Sequence, residues 1–457
     1  MRYRSSSFVL LCLLASSSYA QPPWKEIFNG KDLSGWNQLG GTAKYYVEKG
    51  MLVGEAVPNS PNSFLVTEKQ YSDFILEFDI YLDADINSGV QIRSNSRPDF
   101  QNGRVHGYQV EVDPSPRAFS GGIYDEANRQ WLYPISRNPS AAPAYRHAQW
   151  NTYHIEAIGN EINTWINGIH CARLVDDLTS TGFIGLQVHS IDNEKLIGSK
   201  IKWRNVKILT SNFDQSVWKR NLEVPEISYL INTLTELEKR KGWRLLWDGK
   251  TSAGWRSARS EQFPAKGWNI NSGTLTVEAT TGGESSGPGD IITTDQFSDF
   301  ELELEFKITT GANSGIKYFV DPELNKSSGS AIGCEFQILD DAIHPDAKLG
   351  VLGNRTVGSL YDLIAPENLS VPGRAKQFKG VGQWNQARIV SKNGKVEHWL
   401  NNEKVVEYDR FSQMFKALVN YSKYQKWENF GRWPQGHILL QDHGNEVSFR
   451  NIKIREL

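Results

Sequence analysis

The chain has 457 residues, with 50 basic and 52 acidic side chains and a formal net charge of -2. At roughly 100 to 200 residues per domain, this length predicts two or three domains, each large enough to bury its own core. The near-neutral charge gives no electrostatic reason to expect nucleic acid or an anionic membrane surface as a partner. The 39 glycines and the many aromatic residues (15 Trp, 17 Tyr and 20 Phe) favour strands and turns over helical bundles.

Residues 1–20 have the pattern of a secretory signal peptide. Arg2 and Arg4 supply the positive start, an apolar run follows at 8–15, and the small residue Ala20 offers a cleavage point. The apolar run is shorter than the roughly 20 residues that a transmembrane helix needs. We therefore expect the mature protein to be secreted or periplasmic and not to insert into a membrane.

Two cysteines, Cys171 and Cys334, remain after the predicted signal peptide, one in each half of the chain. An oxidising compartment permits a disulfide, but two distant cysteines do not make a disulfide framework. We expect two separate buried thiols.

The chain contains the same domain twice, because motifs of the first half return in the second half in the same order. The matching pairs are 28–36 with 247–255, 72–74 with 298–300, 87–89 with 313–315, 150–151 with 384–385, 165–167 with 399–401, and 203–208 with 449–454. The repeat predicts a first domain at 21–210, a linker at 211–242 and a second domain at 243–457.

Each copy has the pattern of antiparallel β-structure. In 300–308, apolar residues alternate with three glutamates and Lys307, which predicts a strand with one buried face and a polar edge in water. Residues 74–82 repeat the alternation in the first copy, and Asn393-Gly394 is typical of a hairpin turn. Short strands at this spacing indicate an all-β fold of two tandem β-sandwiches.

Two segments depart from the repeat. In 225–240, helical spacing relates the apolar residues Ile227, Leu230, Ile231, Leu234 and Leu237. We expect this segment to form a helix that connects the domains. Residues 408–434 lengthen the second copy, where one helix is expected beside a wall or lid of aromatic residues, namely Tyr421, Tyr424, Trp427, Phe430 and Trp433.

Polar side chains converge on one face of the first copy. Strand alternation sorts side chains onto faces, and the predicted strands 90–93, 108–113 and 184–189 each place polar groups on one side. These groups are Gln91, Arg93, Gln109, Glu111, Asp113, Gln187 and His189, with Tyr124 in a glycine-rich turn. Strands facing water usually carry Lys, Thr and Glu, so this set is richer than a solvated surface requires.

The second copy keeps part of this set. The corresponding residues are Lys317, Phe319, Glu335, Gln337, Tyr361, Gln441 and His443. Because Phe319 stands where the first copy has Arg93, the two faces are related but not equivalent. Four further residues could bind a metal, although their spacing matches no established ligand pattern: Asp340, Asp341, His344 and Asp346.

Structural interpretations compete with the functional ones. The tryptophan pairs Trp36 with Trp255 and Trp165 with Trp399 favour core packing over sugar stacking, because both copies keep them. The paired histidines could be incidental, and the carboxylates of the first copy could be solvated strand residues. Motifs for a serine nucleophile, a phosphate-binding loop, a zinc protease or a dinucleotide are missing from the sequence, so we expect no cofactor.

The motifs together resemble a known family. F-N-G-K-D-L-S-G-W at 28–36, N-S-G in both copies, L-Q-D-H-G at 440–444 and F-R-N-I-K-I-R-E-L at the end are similar to those of the 3-keto-disaccharide hydrolase family, formerly a domain of unknown function. The resemblance covers nearly all of 24–209 and 243–457. It implies jelly-roll sandwiches of the concanavalin A-like lectin and glucanase type, and cleavage of glycosides whose sugar is oxidised at C3.

The implied reaction needs a base for the C2 proton, an acid for the leaving oxygen and a donor for the enolate. Candidate acids and bases are Glu111, Asp113 and His189 in the first copy and Glu335, Asp340, His344 and His443 in the second. Candidate donors are Arg93, Tyr124 and Tyr361, and candidate substrate-binding residues are Gln91, Gln109, Gln187, Lys317, Gln337 and Gln441. The second copy lacks an equivalent of Arg93 but carries the fuller family-like run at 335–348, so the catalytic copy stays open.

A non-catalytic glycan-binding protein is the main alternative, since aromatic walls and amides would serve it equally well. Carboxylates and histidines gathered on one face favour the enzyme. A structural protein of the cell envelope, the third interpretation, would have no deep polar pocket. The sugar and linkage, the need for a metal and the oligomeric state stay open at this point.

Overall fold

The computed structural model describes residues 24–280, 283, 287–326 and 329–457. The predicted signal peptide lies outside these residues. No helix in the described ranges is long and apolar enough to cross a membrane.

The first half of the chain forms sixteen strands in the residues that the structure describes. They are β1 (Lys25–Glu26), β2 (Trp36–Gly40), β3 (Lys44–Glu48), β4 (Met51–Glu55), β5 (Ser63–Thr67), β6 (Phe74–Leu82), β7 (Ser88–Ser96), β8 (Val105–Val112), β9 (Ile123–Glu126), β10 (Gln130–Tyr133), β11 (Asn151–Ile158), β12 (Glu161–Ile166), β13 (Ile169–Val175), β14 (Phe183–Val188), β15 (Lys200–Leu209) and β16 (Glu226–Ser228). Short 3-10 turns lie at Ile135–Arg137, Pro139–Ala144, Glu194–Leu196 and Phe213–Gln215.

These strands make two sheets that face each other. One has the order β16-β13-β12-β11-β6-β15-β4-β3, with β1 also pairing β15, and the other has the order β10-β9-β8-β7-β14-β5-β2. Alternate residues of β6 point between the sheets, where Phe74, Phe78 and Ile80 are buried in the first core. The inward side chains of both sheets thus form one apolar layer, as in a β-sandwich.

The second half repeats this plan. Its strands are β17 (Arg244–Leu245), β18 (Trp255–Ser257), β19 (Trp268–Asn271), β20 (Thr274–Val277), β21 (Ile291–Thr293), β22 (Phe300–Ile308), β23 (Asn313–Asp321), β24 (Ile332–Leu339), β25 (Asn385–Lys392), β26 (Lys395–Leu400), β27 (Glu403–Asp409), β28 (His437–Leu440) and β29 (Val447–Glu456). Helix α1 (Glu236–Arg240) precedes them, helix α2 (Gln413–Asn420) follows β27, and 3-10 turns lie at Pro322–Asn325, Pro345–Lys348 and Lys423–Lys426.

The second sandwich again has two sheets. Their orders are β19-β20-β29-β22-β25-β26-β27, with β17 pairing β29, and β18-β21-β28-β23-β24. A separate apolar cluster, which includes Phe300, Leu302 and Phe306, fills the space between them. The predicted all-β architecture of two tandem β-sandwiches is therefore confirmed.

Several local predictions are confirmed as well. Strands β6 and β22 have the predicted bounds, and Asn393 joins β25 to β26 in a tight turn with a positive φ of 51°. Cys171 and Cys334 are separate buried thiols, and burial raises the pKa of each to about 12, so both stay protonated. Of the recurring tryptophans, Trp36, Trp165 and Trp255 are buried as predicted, whereas Trp399 is only half-buried and its ring is covered by Arg137 and Arg388.

The polar edge of β22 does not face water, contrary to the prediction. Glu301, Glu303 and Glu305 are buried, because basic residues of the neighbouring strands cover them. Arg388 lies 2.6 Å from Glu301, Lys453 lies 3.1 Å from Glu303, and Arg450 lies 2.8 Å from Glu305. Pairing by hydrogen-bonded arginine and lysine makes the burial of these carboxylates tolerable.

The linker is not the single helix that the apolar spacing predicts. Its Ile227 belongs to strand β16, which pairs in parallel with β13 at the edge of the first sandwich, and only α1 is helical. Asn232 adopts a left-handed backbone conformation with φ at 48°, which breaks any helix across the segment. Thr235 then starts α1 with a capping box, in which its hydroxyl accepts from the Glu238 backbone.

The two sandwiches contact each other directly. Asn402 of the second domain donates to the backbone carbonyl of Leu132 at 3.3 Å and to the Tyr229 hydroxyl at 2.9 Å. The Arg137 guanidinium lies 3.8 Å from Glu303 and 5.3 Å from the ring centre of Trp399. These buried polar contacts fix the orientation of one domain against the other.

Candidate active site

Each sandwich carries a polar pocket on the outer face of its smaller sheet. Strands β8, β9 and β14 supply the first pocket, whereas β23, β24 and the residues that directly follow β28 supply the second pocket. Strand pairing explains the match between them. Gln109 lies opposite Gln91 and Tyr124 in the first domain, whereas Glu335 lies opposite Lys317 in the second.

The second pocket is a cavity of about 200 Å³. The predicted residues that line it are Lys317, Glu335, Gln337, Tyr361, Gln441 and His443. Asn313 of the repeated N-S-G motif also contributes, and Lys423, Tyr424, Lys426 and Trp427 form one wall. Six predicted residues from four separate segments of the chain therefore meet in one place.

A cation and a carboxylate lie side by side in this pocket. The Lys317 ammonium is 3.7 Å from a Glu335 oxygen, and both side chains are buried. Lys317 also donates to the Ser330 hydroxyl at 2.5 Å and to the Ala331 carbonyl at 3.2 Å. A charged pair that lies in a cavity instead of in water can act strongly on a bound molecule.

Tyr361 is held in place from two sides. Its hydroxyl donates to an Asp346 oxygen at 2.8 Å, and the Lys423 ammonium lies 4.3 Å from the centre of its ring. Burial, followed by the hydrogen bond to Asp346, raises the pKa of the Tyr361 phenol well above its usual value. Tyr361 therefore stays protonated at neutral pH, but its one proton is donated to Asp346, so towards a bound molecule it can accept a hydrogen bond and is not the donor that the sequence predicted.

The wall of the second pocket comes from the segment that the sequence analysis interpreted as a wall or lid. Ser422 accepts from the Tyr424 backbone at 3.1 Å and so starts the turn Lys423–Lys426. The Tyr424 ring stacks on Phe430 with 4.0 Å between ring centres, which ties the turn to the second core. Of the other aromatic residues predicted for the wall, Phe430 and Trp433 pack on the second core instead of lining the pocket, and Tyr421 is 93% exposed.

The first pocket is wider, with a volume of about 450 Å³. The predicted residues that line it are Gln109, Glu111, Tyr124, Gln187 and His189. Other lining residues come from the same domain, namely Asn62, Asn87, Arg104, Arg117, Glu126, Gln130 and Trp131, and two come from the second domain, namely Arg374 and Gln377.

Glu111 and His189 are the ionisable groups of this pocket that the sequence singled out. Glu111 accepts from Asn87 at 2.7 Å and from Gln109 at 3.0 Å, yet burial raises its pKa overall. His189 Nδ1 lies 2.7 Å from the Ser190 carbonyl. Because a carbonyl only accepts, Nδ1 carries the proton in the neutral ring and Nε2 keeps its lone pair.

Arg93 does not share a face with Gln91, which corrects the expectation that it is a donor in the first pocket. A β-bulge shifts the register between Ile92 and Asn95, and Arg93 has a positive φ of 47°. The alternation of faces is interrupted at such a bulge. The buried guanidinium instead donates to the Ser72 carbonyl at 2.7 Å and to Asp73 at 2.9 Å, where it holds strand ends together.

Four other predicted residues also lie outside the pocket linings. Gln91 is buried beneath the first pocket, where it donates to Gln109 at 2.8 Å. Asp113 binds Arg117 at 2.7 Å and shapes its loop, and Asp340 accepts from the Gly311 backbone at 2.8 Å. His344 caps the turn that begins at Pro345, since its Nδ1 accepts from the Asp346 backbone at 3.2 Å.

His344 still lies close to the second pocket. Its ring centre is 6.4 Å from that of His443. Burial, and secondarily the nearby His443, lowers the pKa of His344, so His344 is neutral at pH 7. In the ranges that the structure describes, no three His, Cys, Asp or Glu side chains are grouped so that they could hold a metal ion.

Comparison with known proteins identifies the family. A family model described as the 3-keto-alpha-glucoside-1,2-lyase-like domain matches residues 23–209 and again residues 242–455. The chain belongs to this family. A 3-keto-disaccharide hydrolase from Bacteroides thetaiotaomicron is 36% identical over 240 residues, which are 47% of this chain and 79% of that protein. Family membership and this relative together show that the chain is a glycosidase-like hydrolase.

Solved structures of other proteins are similar to parts of the chain. A candidate glycosyl hydrolase from Parabacteroides distasonis is 30% identical and covers 50% of this chain and 100% of its own, with a TM-score of 0.43. The carbohydrate-binding module CBM66 from Bacillus subtilis is 18% identical and covers 38% of this chain and 95% of its own, with a TM-score of 0.28.

The sequence patterns did not predict several residues that line the two pockets. Lys423 and Lys426 lie in the extra segment of the second copy, where only aromatic residues drew attention. Arg117 and Trp131 lie in loops and short strands that have no long alternating pattern. The repeated N-S-G motif was a usable signal, because its asparagine lines both pockets, as Asn87 and as Asn313.

Proposed function

We propose that the second pocket cleaves glycosides whose sugar carries a ketone at C3. The observation that carries the proposal is the buried pair of Lys317 and Glu335, which lies in the cavity 3.7 Å apart. The first domain has Gln91 in place of Lys317, and the cation nearest Glu111 there is Arg117, 3.6 Å away, which is partly exposed and bound to Asp113 at 2.7 Å. Membership in the lyase-like family and the relationship to the Bacteroides 3-keto-disaccharide hydrolase support the same substrate class.

The proposed reaction is an elimination followed by hydration. The ketone at C3 acidifies the C2 proton, a base removes it, and the electron pair passes to the C3 oxygen as an enolate. The enolate then expels the oxygen at C1, which takes up a proton, and a C1–C2 double bond remains. Water adds at C1 while C2 regains a proton, so that the net result is hydrolysis.

The pocket offers a group for each step. Glu335 is the base for C2, since its carboxylate lines the cavity 3.7 Å from the Lys317 ammonium. Lys317 stabilises the enolate oxygen, as a fixed cation does at a developing negative charge. The Tyr361 oxygen accepts a hydrogen bond from a sugar hydroxyl, since its own proton is donated to Asp346, and His443 supplies the proton to the leaving oxygen.

Glu335→Gln in the full-length protein tests the base. With 3-keto-trehalose as substrate, we expect the rate of glucose release to fall by about 10²- to 10⁴-fold, the usual contribution of general acid–base catalysis. His443→Ala should lower the rate at least tenfold. Glu111→Gln is the matched control in the first pocket and should keep the rate within about threefold.

Release of glucose at equal rates from the wild type and Glu335→Gln would sink the assignment of the base. No release by the wild type, together with binding of unoxidised trehalose, would favour a non-catalytic glycan-binding protein instead. A rate that falls with Glu111→Gln and not with Glu335→Gln would move the reaction to the first pocket.

We also propose that the protein acts outside the cytoplasm, on the basis of the signal-like pattern at residues 1–20. Fractionation of the native host followed by N-terminal sequencing tests this. A mature chain that begins at Gln21 supports export, and a chain that begins at Met1 in the cytoplasm contradicts it.

A further inference from the structure

A loop of the second domain reaches the pocket of the first domain. This crossover loop, residues 366–380, places Arg374 and Gln377 in the lining of the first pocket. Val371, near the middle of the loop, packs against the apolar core of the first domain. The first pocket is thus built from both halves of the chain.

The crossover loop is held at both ends by its own domain. The backbones of Glu367 and Leu369 donate to the carbonyls of Val405 and Lys404, each at 2.9 Å. Asn401 donates to the Gln377 carbonyl at 2.6 Å. Such anchoring gives the two lining side chains a defined position, which a binding site requires.

The floor of the first pocket carries an unsatisfied polar group. The Gln187 side chain is fully buried and lines the pocket, yet neither its amide oxygen nor its nitrogen has a hydrogen-bond partner in the part of the chain that the structure describes. Buried amides are nearly always hydrogen-bonded. An amide in this state points to a polar ligand that both donates and accepts, as sugar hydroxyls do.

The charges of the pocket lead to the same conclusion. Arg104 lies 3.2 Å from Glu126, and Arg117 lies 2.7 Å from Asp113, so both guanidiniums are engaged. Across the described ranges, no carboxylate lies within ion-pair distance of Arg374, whose charge acts at longer range on Glu403. The donors of Arg374 therefore remain available to a ligand in the pocket.

We propose that the first pocket is a composite saccharide-binding site, in which Gln187 binds from the floor and Arg374 and Gln377 of the crossover loop bind from the opposite domain. This site binds the sugar without cleaving it, because the cation beside Glu111 is Arg117 at 3.6 Å, which is partly exposed and held by Asp113 at 2.7 Å, unlike the buried Lys317. The inference rests on the proposed function only for the choice of saccharide. A single copy of the domain could not form this site.

A tryptophan in each pocket allows the two sites to be measured separately. Trp131 lines the first pocket and Trp427 lines the second. The full-length Glu335→Gln variant is labelled with 5-fluorotryptophan, and the two resonances are assigned with Trp131→Phe and Trp427→Phe. Titration with 3-keto-trehalose, and in parallel with trehalose, then gives a dissociation constant for each pocket from ¹⁹F NMR.

Both resonances should shift to saturation with at least one of the two sugars. Adding Arg374→Ala and Gln377→Ala together should weaken binding at Trp131 at least tenfold and leave binding at Trp427 within twofold, which also shows that the variant is folded. Arg97→Ala, an exposed arginine paired with Asp99, is the matched control and should change neither constant.

A Trp131 resonance that neither sugar shifts, or one that titrates equally with and without the two loop substitutions, would overturn the composite site. Failure of the wild type to cleave 3-keto-trehalose would overturn the proposed function alone. In that case a loop-dependent response of Trp131 to trehalose would still support the composite site.

Discussion

Glycine at position 315 makes room for the proposed base. A Cβ atom at Gly315 would lie 2.2 Å from a Glu335 oxygen, closer than any real contact, so that carboxylate lies directly across the glycine. The first domain has the same arrangement, where a Cβ at Gly89 would lie 2.4 Å from the Gln109 amide carbon. The repeated N-S-G motif therefore keeps its glycine because a pocket side chain crosses it.

Gly315→Ala should displace Glu335 by about 1 Å and lower the rate of glucose release from 3-keto-trehalose by roughly 10²-fold, since catalytic geometry tolerates little displacement. Gly89→Ala, the matched change in the first domain, should leave the rate unchanged while it moves Gln109. Circular dichroism and thermal unfolding establish that both variants are folded. Equal rates for the two variants would contradict the position assigned to Glu335.

Individual residues show which side-chain positions could be predicted from the sequence and which could not. Strand alternation correctly gathered Glu335, Gln441 and His443 from segments a hundred residues apart. The alternation rule gave the wrong face for Arg93, because a bulge at this residue reverses the direction of its side chain. The local sequence has no pattern that predicts this bulge. The same position in the second copy, Phe319, also has a positive φ, at 52°, so the bulge belongs to the fold.

At the scale of elements, a buried histidine joins the two sheets of the second sandwich. His398 on β26 accepts from the Tyr318 hydroxyl on β23 at 2.7 Å and donates to the Gly358 carbonyl at 3.1 Å. Burial lowers the pKa of His398 to about 4. The unfolded chain, with a histidine pKa of about 6.5, therefore takes up a proton that the folded protein excludes.

The contribution of His398 to stability should be complete above about pH 6.5 and should be lost as the pH falls towards 4. We expect His398→Gln to flatten the decrease of the unfolding free energy between pH 6.5 and 4.5, by up to about 1.4 kcal/mol per pH unit. Urea unfolding at several pH values measures this, with the exposed His147→Gln as control. An unchanged pH dependence would contradict the burial of a neutral ring.

Elements also show why sequence patterns were only partly sufficient. The bounds of β6 and β22 followed from alternation alone, because each strand has one continuous apolar face. The burial of the opposite face of β22 did not follow, since it depends on Arg388, Lys453 and Arg450 from strands far away in the sequence. The apolar spacing of the linker predicted a helix. In the structure, part of the linker instead forms strand β16, which pairs with β13 at the edge of the first sheet.

At the scale of the molecule, repetition was visible in the sequence but the relationship of the two copies was not. The matching motifs predicted two sandwiches, and the structure has two. That the crossover loop of one copy lines the pocket of the other depends on how the domains pack, which no repeat pattern encodes. The two copies thus share a framework while their pockets differ in charge: the second has a buried cation, Lys317, where the first has a glutamine.

The division of work between the pockets is the central claim, and the rate of glucose release from 3-keto-trehalose tests it most directly. The measurement compares the full-length wild type with Glu335→Gln and Glu111→Gln under identical conditions. We expect Glu335→Gln to lower kcat by about 10²-fold or more and Glu111→Gln to leave it within about threefold. The reverse order, with activity lost through Glu111 and kept without the Glu335 carboxylate, would contradict the account.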